Sequence, residues 1–356
     1  MHKRLRKLSH HSFQMTRKRT SIYDIAQRLD VSVSTVSRAL SDHPSISAAL
    51  KERIREVARE MHYTPNSVAV NLKTGRRNTI GVVVPGINRS FFSSAIEGIE
   101  DKAYKQGYDV LIYQSKDSAE REERIVHSLA GKVDGVIASV AADATDHSYY
   151  NHLSASGVPV VLFDRTAKGV DAGTVIVDDC QGAALAVEHL LRQGMKRIYH
   201  FAGPRHVNVW GNRLEGYLST MREAGLSVSD EYIFEGINTS EQEGRRFAET
   251  VLTAHASGQP LPEAVFFAGD FAALGAMLEF QKAGIRIPED IAVVGFANEP
   301  FCQLLPTPLS SVDQFSYKMG YMAGKMMFDR LRGEPQVGIV IAPELIIRKS
   351  SLKNTK

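Results

Sequence analysis

Cysteine and tryptophan are scarce in this sequence: its 356 residues include two cysteines and one tryptophan. Cys180 and Cys302 supply neither the framework of a disulfide-stabilised fold nor the paired spacing of a metal site. So few cysteines are typical of a protein from a reducing compartment, and we expect a cytoplasmic location. We also expect no metal ion and no cofactor.

Long apolar runs are missing too. No stretch approaches the roughly 20 apolar residues that a membrane-spanning helix needs, and the basic N-terminus lacks the apolar segment of a signal peptide. Residues 1–19 contain no acidic residue and no apolar pattern, which predicts a basic, disordered extension. Met15 is a second candidate start residue, and the intact mass of the endogenous protein would show which methionine is used.

The motifs of common enzyme classes are absent from the sequence. There is no dinucleotide-binding glycine pattern after a strand, no P-loop, no nucleophile elbow and no zinc-ligand spacing. The 12 histidines are scattered, and His127, His189 and His200 lie in apolar contexts that favour structural roles. We therefore expect no catalytic residue and no metal site, with an enzyme on an α/β scaffold as a weaker alternative.

Charge is unevenly distributed, although the net formal charge is only +3. Residues 1–77 hold 16 Lys and Arg against 6 Asp and Glu, whereas the rest of the chain holds 27 against 34. A basic N-terminal part on an acidic body indicates that the N-terminal part contacts nucleic acid and the body avoids it.

The stretch V-S-V-S-T-V-S-R-A-L, residues 31–40, carries the strongest local pattern. Its apolar side chains recur at helical spacing, which predicts a short amphipathic helix that Ser32 can cap. Small hydroxyl side chains and Arg38 cover the opposite face, so the helix backbone can approach a major groove while the arginine reaches a guanine edge. The apolar stripe consists of Val33, Val36 and Leu40, and the polar face consists of Ser34, Thr35, Ser37 and Arg38.

A preceding and a following helix complete the pattern. In T-S-I-Y-D-I-A-Q-R-L, residues 20–29, Ser21 and Asp24 resemble a capping box, and the apolar residues again follow helical spacing. Only a tight turn separates this helix from the next, and a third helix is predicted from about Ser47. The sequence therefore predicts a helix-turn-helix domain over residues 20–65.

From Thr79 onward the pattern changes to short, β-branched, nearly continuous apolar runs that alternate with helical segments. This alternation predicts parallel sheets buried on both faces, and the number of runs predicts two doubly wound lobes. The predicted helices are Phe92–Gln106, Asp117–Ala130, Ser148–Ser156, one from Asp179 to Arg192, one through Arg213 to Ala224, and Asp270–Ala283. Ligands of open α/β sheets bind beyond the carboxyl ends of the strands.

I-Y-D-I-A, V-S-V-S-T-V-S-R-A-L and Y-T-P-N-S-V-A-V-N-L-K closely resemble the N-terminal part of LacI/GalR-type transcriptional repressors, and the resemblance extends more loosely to about Arg348. It implies an all-α helix-turn-helix head and an α/β body of the periplasmic-binding-protein type, whose chain crosses between the lobes three times. By this analogy the crossings lie near Asp178, Asn298 and Asp313. The implied lobes are residues 79–178 with 298–312, and residues 179–297 with 313–350.

The resemblance also implies a hinge segment at residues 66–78, whose short helix pairs with its dimer mate in the minor groove. Leu72 matches the leucine that is wedged between base steps there, which kinks the duplex. Base-edge candidates on the head are Val33, Ser34 and Arg38, and phosphate candidates are Tyr23, Ser32 and Thr35. The full set of predicted DNA-binding residues is Ser21, Tyr23, Ser32, Val33, Ser34, Thr35, Ser37, Arg38, Asn66, Ala69, Leu72 and Lys73.

Candidate effector-binding residues lie near predicted strand ends, where aromatic walls and planar polar groups can bind a sugar. Arg213, in N-R-L-E-G-Y, and Asp270 match positions that contact the effector in the family. The predicted set is Phe91, Phe92, Asp164, Arg165, Trp210, Arg213, Asp270 and Asn298. Many relatives carry Asp after G-[FY], whereas Ala297 and Asn298 follow here, so we expect a sugar acid or phosphosugar to be as acceptable an effector as a neutral sugar.

The resulting hypothesis is a homodimeric regulator of carbohydrate-utilisation genes, most often a repressor in this family, that binds a palindromic operator and responds to a carbohydrate-derived effector. Whether the effector releases or promotes DNA binding is left open. The alternative is a solute-binding protein without a regulatory role. The chain after Arg348 lacks heptads, so we expect a dimer through the lobes, using the helix after Phe91, and no tetramer-forming coiled coil.

Overall fold

The computed structural model describes residues 20–64, 76–335 and 337–353. The chain divides into two compact units, Met1–Arg77 and Asn78–Lys356. The predicted extension at residues 1–19 and most of the predicted hinge segment, including Asn66, Ala69, Leu72 and Lys73, lie outside the described residues.

Within residues 20–64, the first unit contains three helices: α1 (Ile22–Leu29), α2 (Val33–Leu40) and α3 (Ala48–Glu60). Asp30 takes a left-handed conformation (φ 52°) that ends α1 and begins the tight turn. Ile25, Val36 and Ile54, one from each helix, are fully buried against one another. The predicted helix-turn-helix and its third covering helix are confirmed.

The second unit contains two six-stranded sheets. The helices of this unit are α4 (Ser90–Tyr104), α5 (Ala119–Leu129), α6 (Ser148–Ala155), α7 (Asp179–Arg192), α8 (Asn208–Glu223), α9 (Glu241–Ala256), α10 (Asp270–Lys282) and α11 (Ser316–Leu331). The strands are β1 (Thr79–Val84), β2 (Asp109–Gln114), β3 (Gly135–Ala138), β4 (Val160–Phe163), β5 (Gly173–Val177), β6 (Ile198–Ala202), β7 (Ile233–Glu235), β8 (Ala264–Phe267), β9 (Ala292–Phe296), β10 (Ser310–Asp313), β11 (Ile339–Ile341) and β12 (Glu344–Ile346). Short 3₁₀ segments occur at Asp230–Tyr232, Pro300–Gln303 and Lys349–Ser351.

The first lobe is built on the sheet β11-β5-β4-β3-β1-β2, in which all pairings are parallel. Along β1, Ile80 and Val82 pack on the face covered by α4 and α11, whereas Val83 packs on the face covered by α5 and α6. Both faces of β1 are therefore buried, which explains why its sequence is continuously apolar rather than alternating.

The second lobe is built on the sheet β12-β10-β9-β8-β6-β7. Its pairings are parallel except for β12, which runs antiparallel to β10. The two lobes with parallel sheets are as predicted from the sequence. The predicted series omitted α9, α11 and β7, as well as the three strands after β9.

The observed crossings between the lobes correct two predicted lobe assignments. The chain enters the second lobe at Asp178 and stays there through β10, because β10 pairs with β9 and extends its sheet. The assignment of residues 298–312 to the first lobe is therefore wrong, and no crossing occurs near Asn298. The chain returns to the first lobe after Asp313 for α11 and β11, and it crosses again between β11 and β12, so only the end of the 313–350 segment lies in the second lobe.

Close helix packing joins α11 to α4 in the first lobe. A Cβ atom added at Gly320 would lie 1.8 Å from the carbonyl oxygen of Ala95, and one at Gly98 would lie 2.2 Å from the carbonyl oxygen of Tyr317. Glycine is required at both points because the two backbones approach too closely for a side chain. This packing fixes the orientation of α4, whose N-terminus points into the space between the lobes.

Candidate nucleic-acid and small-molecule sites

Helix α2 presents a hydroxyl-rich surface at its N-terminus. Ser32 caps the helix, since its Oγ accepts a hydrogen bond from the backbone N–H of Thr35 at 3.1 Å. The Ser32 hydroxyl also lies 2.8 Å from the hydroxyl groups of both Ser34 and Thr35. Three hydroxyl groups are therefore concentrated at the positive end of a helix, an arrangement suited to a phosphate or a base edge.

Arg38 is the cation of this surface. Its side chain is exposed, and within the described residues it has no carboxylate within ion-pairing distance. Arg28 on α1 is different, because it lies 3.3 Å from a carboxylate oxygen of Glu60. Arg38 can therefore bind a nucleic acid without first breaking an ion pair.

The other predicted DNA-binding residues of the head differ in solvent exposure and in whether their hydrogen-bonding groups are already engaged. Tyr23 is 70% exposed, which suits a phosphate donor. The Ser21 hydroxyl donates to Oδ2 of Asp24 at 2.7 Å, as does the Ser21 backbone N–H, so the capping contact predicted for this pair is present and the hydroxyl is already engaged. Val33 and Ser37 are half-buried.

A cleft lies between the carboxyl ends of the two sheets in the second unit. It encloses about 490 Å³ of space, counted with the part open to solvent. The side chains and backbone that line it are Arg89, Phe91, Phe92, Asp164, Arg165, Val209, Trp210, Arg213, Thr239, Ala268, Gly269, Asp270, Phe271, Phe296, Ala297, Glu299 and Gln314. The structure thus brings together seven of the eight predicted effector residues, the exception being Asn298.

Aromatic rings form much of the wall, and guanidinium groups stack on three of them. Arg165 lies over the ring of Trp210 at 4.9 Å, and Arg213 lies over the ring of Phe296 at 3.7 Å. Arg89 lies 5.5 Å from the ring centre of Phe271. Stacking keeps each guanidinium plane fixed while its edge stays available for hydrogen bonds.

Arg213 is held on all sides by its own protein. Its Nε donates to Oδ1 of Asp179 at 2.8 Å, and its two terminal nitrogens donate to the Ala268 carbonyl at 2.8 Å and to Oε1 of Gln314 at 3.1 Å. Burial raises the pKa of Asp179, while the charge and hydrogen bond of Arg213 oppose that rise. Arg213 therefore joins α7, α8 and the chain after β10. It lines the cleft in a fixed orientation, with most of its hydrogen-bond donors already used within the protein.

Asp164 and Arg165 follow β4 directly. Asp164 has a left-handed backbone (φ 58°), and its buried carboxylate accepts from the hydroxyl of Ser139 at 3.2 Å. Burial raises the pKa of the Asp164 carboxyl, and the nearby Arg165 opposes the rise. Arg165 forms an ion pair with Asp117, so its charge is balanced within the first lobe.

Asp270 faces into the second lobe more than into the cleft. Its Oδ1 accepts from the hydroxyl of Ser311 at 2.7 Å, and its Oδ2 accepts from the backbone N–H of Glu299 at 2.9 Å and from Sγ of Cys302 at 3.3 Å. Burial raises the pKa of Asp270 to about 6. This carboxylate therefore mainly stabilises the conformation of the chain that follows β9.

Asn298, predicted as an effector residue, does not line the cleft. Its side-chain amide donates to Oδ2 of Asp313 at 3.0 Å and accepts from Arg348 at 2.7 Å. Two successive residues with positive φ, Ala297 (124°) and Asn298 (51°), turn the chain sharply, so that Glu299 faces the cleft instead. The carboxylate that seemed to be missing after G-F is therefore supplied two residues later by Glu299.

Ten of the seventeen lining residues are outside the predicted set, among them Arg89, Thr239, Phe271, Glu299 and Gln314. The rule that ligands lie beyond strand ends could have found Arg89 and Glu299, which follow β1 and β9 by a few residues. Thr239 and Gln314 could not be found in this way, because the strands before them, β7 and β10, were not predicted.

Arg89 is the least committed cation of the cleft. Arg165 and Arg213 have carboxylate partners, but within the described ranges no carboxylate lies within 4.0 Å of Arg89. Burial lowers the pKa of Arg89, and the like charge of Arg165 contributes to this. Its hydrogen bond to Oγ1 of Thr239 is long, at 3.4 Å.

The described part of the chain contains neither a cluster of metal ligands nor a membrane-spanning helix. Among residues 20–64, 76–335 and 337–353, no group of three or more His, Cys, Asp or Glu side chains is placed to hold a metal ion. None of the helices in the same ranges is both long and apolar enough to cross a membrane.

Comparisons with known families match the two units separately. Residues 21–66 match the family described as "Bacterial regulatory proteins, lacI family", and residues 187–351 match the "Periplasmic binding protein-like domain". The chain is similar to the HTH-type transcriptional repressor CytR of Escherichia coli (strain K12). Identity is 34% over 332 residues, which cover 92% of this chain and 95% of that repressor.

Solved structures show similar folds. The chain is similar to the transcriptional regulator CelR in its cellobiose complex, with a TM-score of 0.70 and 27% identity over 93% of this chain and all of that one. It also has the fold of the lac repressor dimer bound to operator and the anti-inducer ONPF. That similarity has a TM-score of 0.84 and 24% identity over 94% of this chain and 100% of the other.

Proposed function

The chain belongs to the LacI family of bacterial transcriptional regulators, and we propose on this premise that it binds a palindromic operator as a homodimer under the control of an effector bound in the cleft. It acts as a repressor, in the cytoplasm, on genes of carbohydrate utilisation. The observation that carries the proposal is the surface of α2, where a capped helix end with three hydroxyl groups adjoins an exposed arginine that has no ion-pair partner among the described residues.

The effector proposed is a small polyhydroxylated ring compound. Aromatic walls at Phe91, Trp210 and Phe271 suit the faces of a ring, and polar edges at Arg89 and Glu299 suit hydroxyl groups. The relative CelR was solved with cellobiose, which supports a carbohydrate-derived effector here.

The charge of the cleft bears on the choice between neutral and acidic effectors. Arg165 and Arg213 are already paired with Asp117 and Asp179, and Glu299 supplies a carboxylate to the cleft although no Asp follows Gly295-Phe296. Among these three arginines, only Arg89 is therefore left to attract an anionic effector. We propose a neutral sugar or sugar derivative as the first class to test, with sugar acids and phosphosugars second.

Dimer formation is supported by apolar side chains exposed on the first lobe. Tyr104 at the end of α4 is 83% exposed, and Leu111 and Ile112 on the edge strand β2 are 39% and 46% exposed. Two operator half-sites require two heads, and this surface lies on and beside the helix after Phe91 from which a dimer contact was predicted. Coupling to DNA would pass through residues 66–78, with Leu72 as the proposed wedge.

The alternative, a solute-binding protein without a regulatory role, shares the two-lobed body. It leaves the basic helix-turn-helix domain unexplained, since the Arg38 surface has no function in a solute carrier. A chain that binds a sugar but no duplex would favour this alternative.

The experiment is selection of duplexes by the full chain from a library with a randomised centre, followed by binding measurements at several salt concentrations. A LacI-type regulator enriches a palindrome and shows a steep loss of affinity as salt rises, because phosphate contacts release counterions. Failure to enrich any sequence at low salt would contradict the proposal. Thermal-shift screening of neutral and acidic sugars would then identify the effector, which raises the melting temperature by binding the native state.

A further inference from the structure

Contacts between the lobes occur on two sides of the cleft, and they differ in one respect. On the α4 side, Ser90 donates to Glu299 and Arg89 donates to Thr239. Three of these four residues line the cleft, so a ligand that enters must disturb them. On the α8 side, two residues that do not line the cleft make hydrogen bonds between the lobes: His206, whose Nε2 lies 2.7 Å from the Ala142 carbonyl oxygen, and Asn208.

Asn208 bridges the lobes with both ends of its side-chain amide. Its Oδ1 accepts from the backbone N–H of Thr166 at 3.1 Å, and its Nδ2 donates to the backbone carbonyl of Asp164 at 3.3 Å. Donor and acceptor are both satisfied in this orientation, which fixes the amide plane. The side chain thus fastens the end of β4 in the first lobe to the first turn of α8 in the second.

The segment that Asn208 binds is rigidly placed within its own lobe. The Asp164 backbone N–H donates to the Val175 carbonyl at 3.1 Å, and the Arg165 carbonyl accepts from Val140 at 3.2 Å. The neighbouring Arg165 guanidinium stacks on Trp210, which follows Asn208 by two residues on α8. Because both the segment after β4 and helix α8 are rigid, the Asn208 link fixes the position of one lobe relative to the other. Loss of the link allows the lobes to move relative to each other.

We propose that Asn208 is a positioning residue that holds the two lobes closed without a bound effector. This inference rests on the proposed function in one point only. That point is that the DNA-binding head responds to the closed state of the body. Asn208 is not among the residues that line the cleft, so it acts on the equilibrium between closed and open lobes rather than on the contacts of the ligand. The two hydrogen bonds of Asn208 shift such an equilibrium by roughly tenfold.

The structure provides a reporter on the opposite side of the cleft. Ser90 is the first residue of α4, so its backbone N–H has no partner within the helix. Its acceptor is Oε2 of Glu299, across the cleft at 3.2 Å. Hydrogen exchange at this amide therefore measures how often the lobes separate, at a site that Asn208 does not contact.

The test is millisecond hydrogen exchange with residue-level mass spectrometry on the full chain, without DNA or ligand. In Asn208→Ala, the Ser90 amide should exchange roughly tenfold faster than in the wild type. Asn208→Asp keeps an acceptor for Thr166 but sets a carboxylate oxygen against the Asp164 carbonyl oxygen, so it should increase the exchange rate at least as much as Asn208→Ala. Trp210, the single tryptophan of the chain, should become more accessible to acrylamide in both variants.

The matched control is Asn212→Ala, an exposed asparagine one turn later on α8, which should leave Ser90 exchange unchanged. An unchanged Ser90 rate in Asn208→Ala, an equal increase in the control, or an unprotected Ser90 amide in the wild type would each overturn the proposal. Because no DNA is present, such a result would leave the proposed function untouched, and duplex selection can fail independently of it.

Discussion

The backbone N–H and the hydroxyl of Ser90 both donate to the same carboxylate oxygen of Glu299, across the cleft that separates the two lobes. Glu299 is only 5% exposed, so water does not solvate its charge fully. The donors of Ser90 replace part of that solvation, and they come from the N-terminal end of a helix, where negative charge is favoured.

Ser90→Ala should therefore destabilise the body. The buried carboxylate of Glu299 loses one donor, which costs about 1–3 kcal/mol in the free energy of unfolding. Guanidinium chloride unfolding of the two proteins measures this difference. Ser93→Ala is the matched control, because Ser93 is an exposed serine of the same helix whose hydroxyl bonds only to nearby backbone carbonyls; an equal loss in both variants would exclude the role given to Ser90.

Glu122 predicts a pH dependence of stability. Its carboxylate is fully buried, accepts from the Ala141 N–H at 2.7 Å and the Tyr149 hydroxyl at 2.8 Å, and burial raises its pKa to about 7. A carboxyl whose pKa is higher in the folded state than the usual 4.5 binds a proton more tightly when folded. Its contribution to stability is complete below pH 4.5 and is lost as the pH rises through about 7.

The measurement compares the wild type with Glu122→Gln, which mimics the protonated carboxyl at every pH. Relative to the variant, the wild type should lose up to roughly 3 kcal/mol in the free energy of unfolding between pH 4.5 and pH 8. Other titrating groups cancel in this difference. A difference that does not vary with pH would show that Glu122 is ionised in the folded protein throughout this range.

Gly320 should tolerate no side chain. An added Cβ would lie 1.8 Å from the Ala95 carbonyl oxygen, so α11 must move away from α4, at a cost of about 3 kcal/mol or more. Gly324→Ala, one turn later on α11, is the control, since its nearest neighbour would be the Lys102 side chain at 3.0 Å and alanine favours the helix. Thermal unfolding should separate the two variants clearly, and similar melting temperatures would contradict this account of the packing.

Arg213→Met should be severely destabilising, by about 3–5 kcal/mol, because it leaves Asp179 buried without its partner. If the loss arises from that carboxylate, adding Asp179→Asn should restore part of the stability. Chemical unfolding of the single and double variants provides the measurement. Failure of the double variant to recover would mean that the hydrogen bonds to Ala268 and Gln314 matter more than the ion pair.

Arg38→Ala should weaken binding to the selected duplex by about 1–3 kcal/mol if the side chain reaches a base edge. The matched control is Arg28→Ala, an exposed arginine of α1 that pairs with Glu60, and it should change affinity little. Fluorescence anisotropy at constant salt measures both. Equal losses in the two variants would indicate that nonspecific charge, and not the α2 surface, provides the affinity.

Local sequence patterns determined much of this protein. Helical spacing and capping residues around Ser32 predicted the three helices of the head, because those signals act between residues close in the chain. Continuous β-branched runs such as Thr79–Val84 predicted parallel sheets covered on both faces. The strand-end rule then indicated Arg165 and Trp210 as cleft residues, and the resemblance to the LacI/GalR family indicated Arg213.

The tertiary structure decided which lobe the late strands join and which side chains are free. Residues 298–312 belong to the second lobe because β10 pairs with β9. This pairing depends on which strand edge is available in the folded lobe, and the sequence of β10 alone does not specify it. Arg213 is committed to Asp179, and Glu299 reaches the cleft through a sharp turn at Ala297. These outcomes depend on contacts between residues distant in sequence, which no local periodicity encodes.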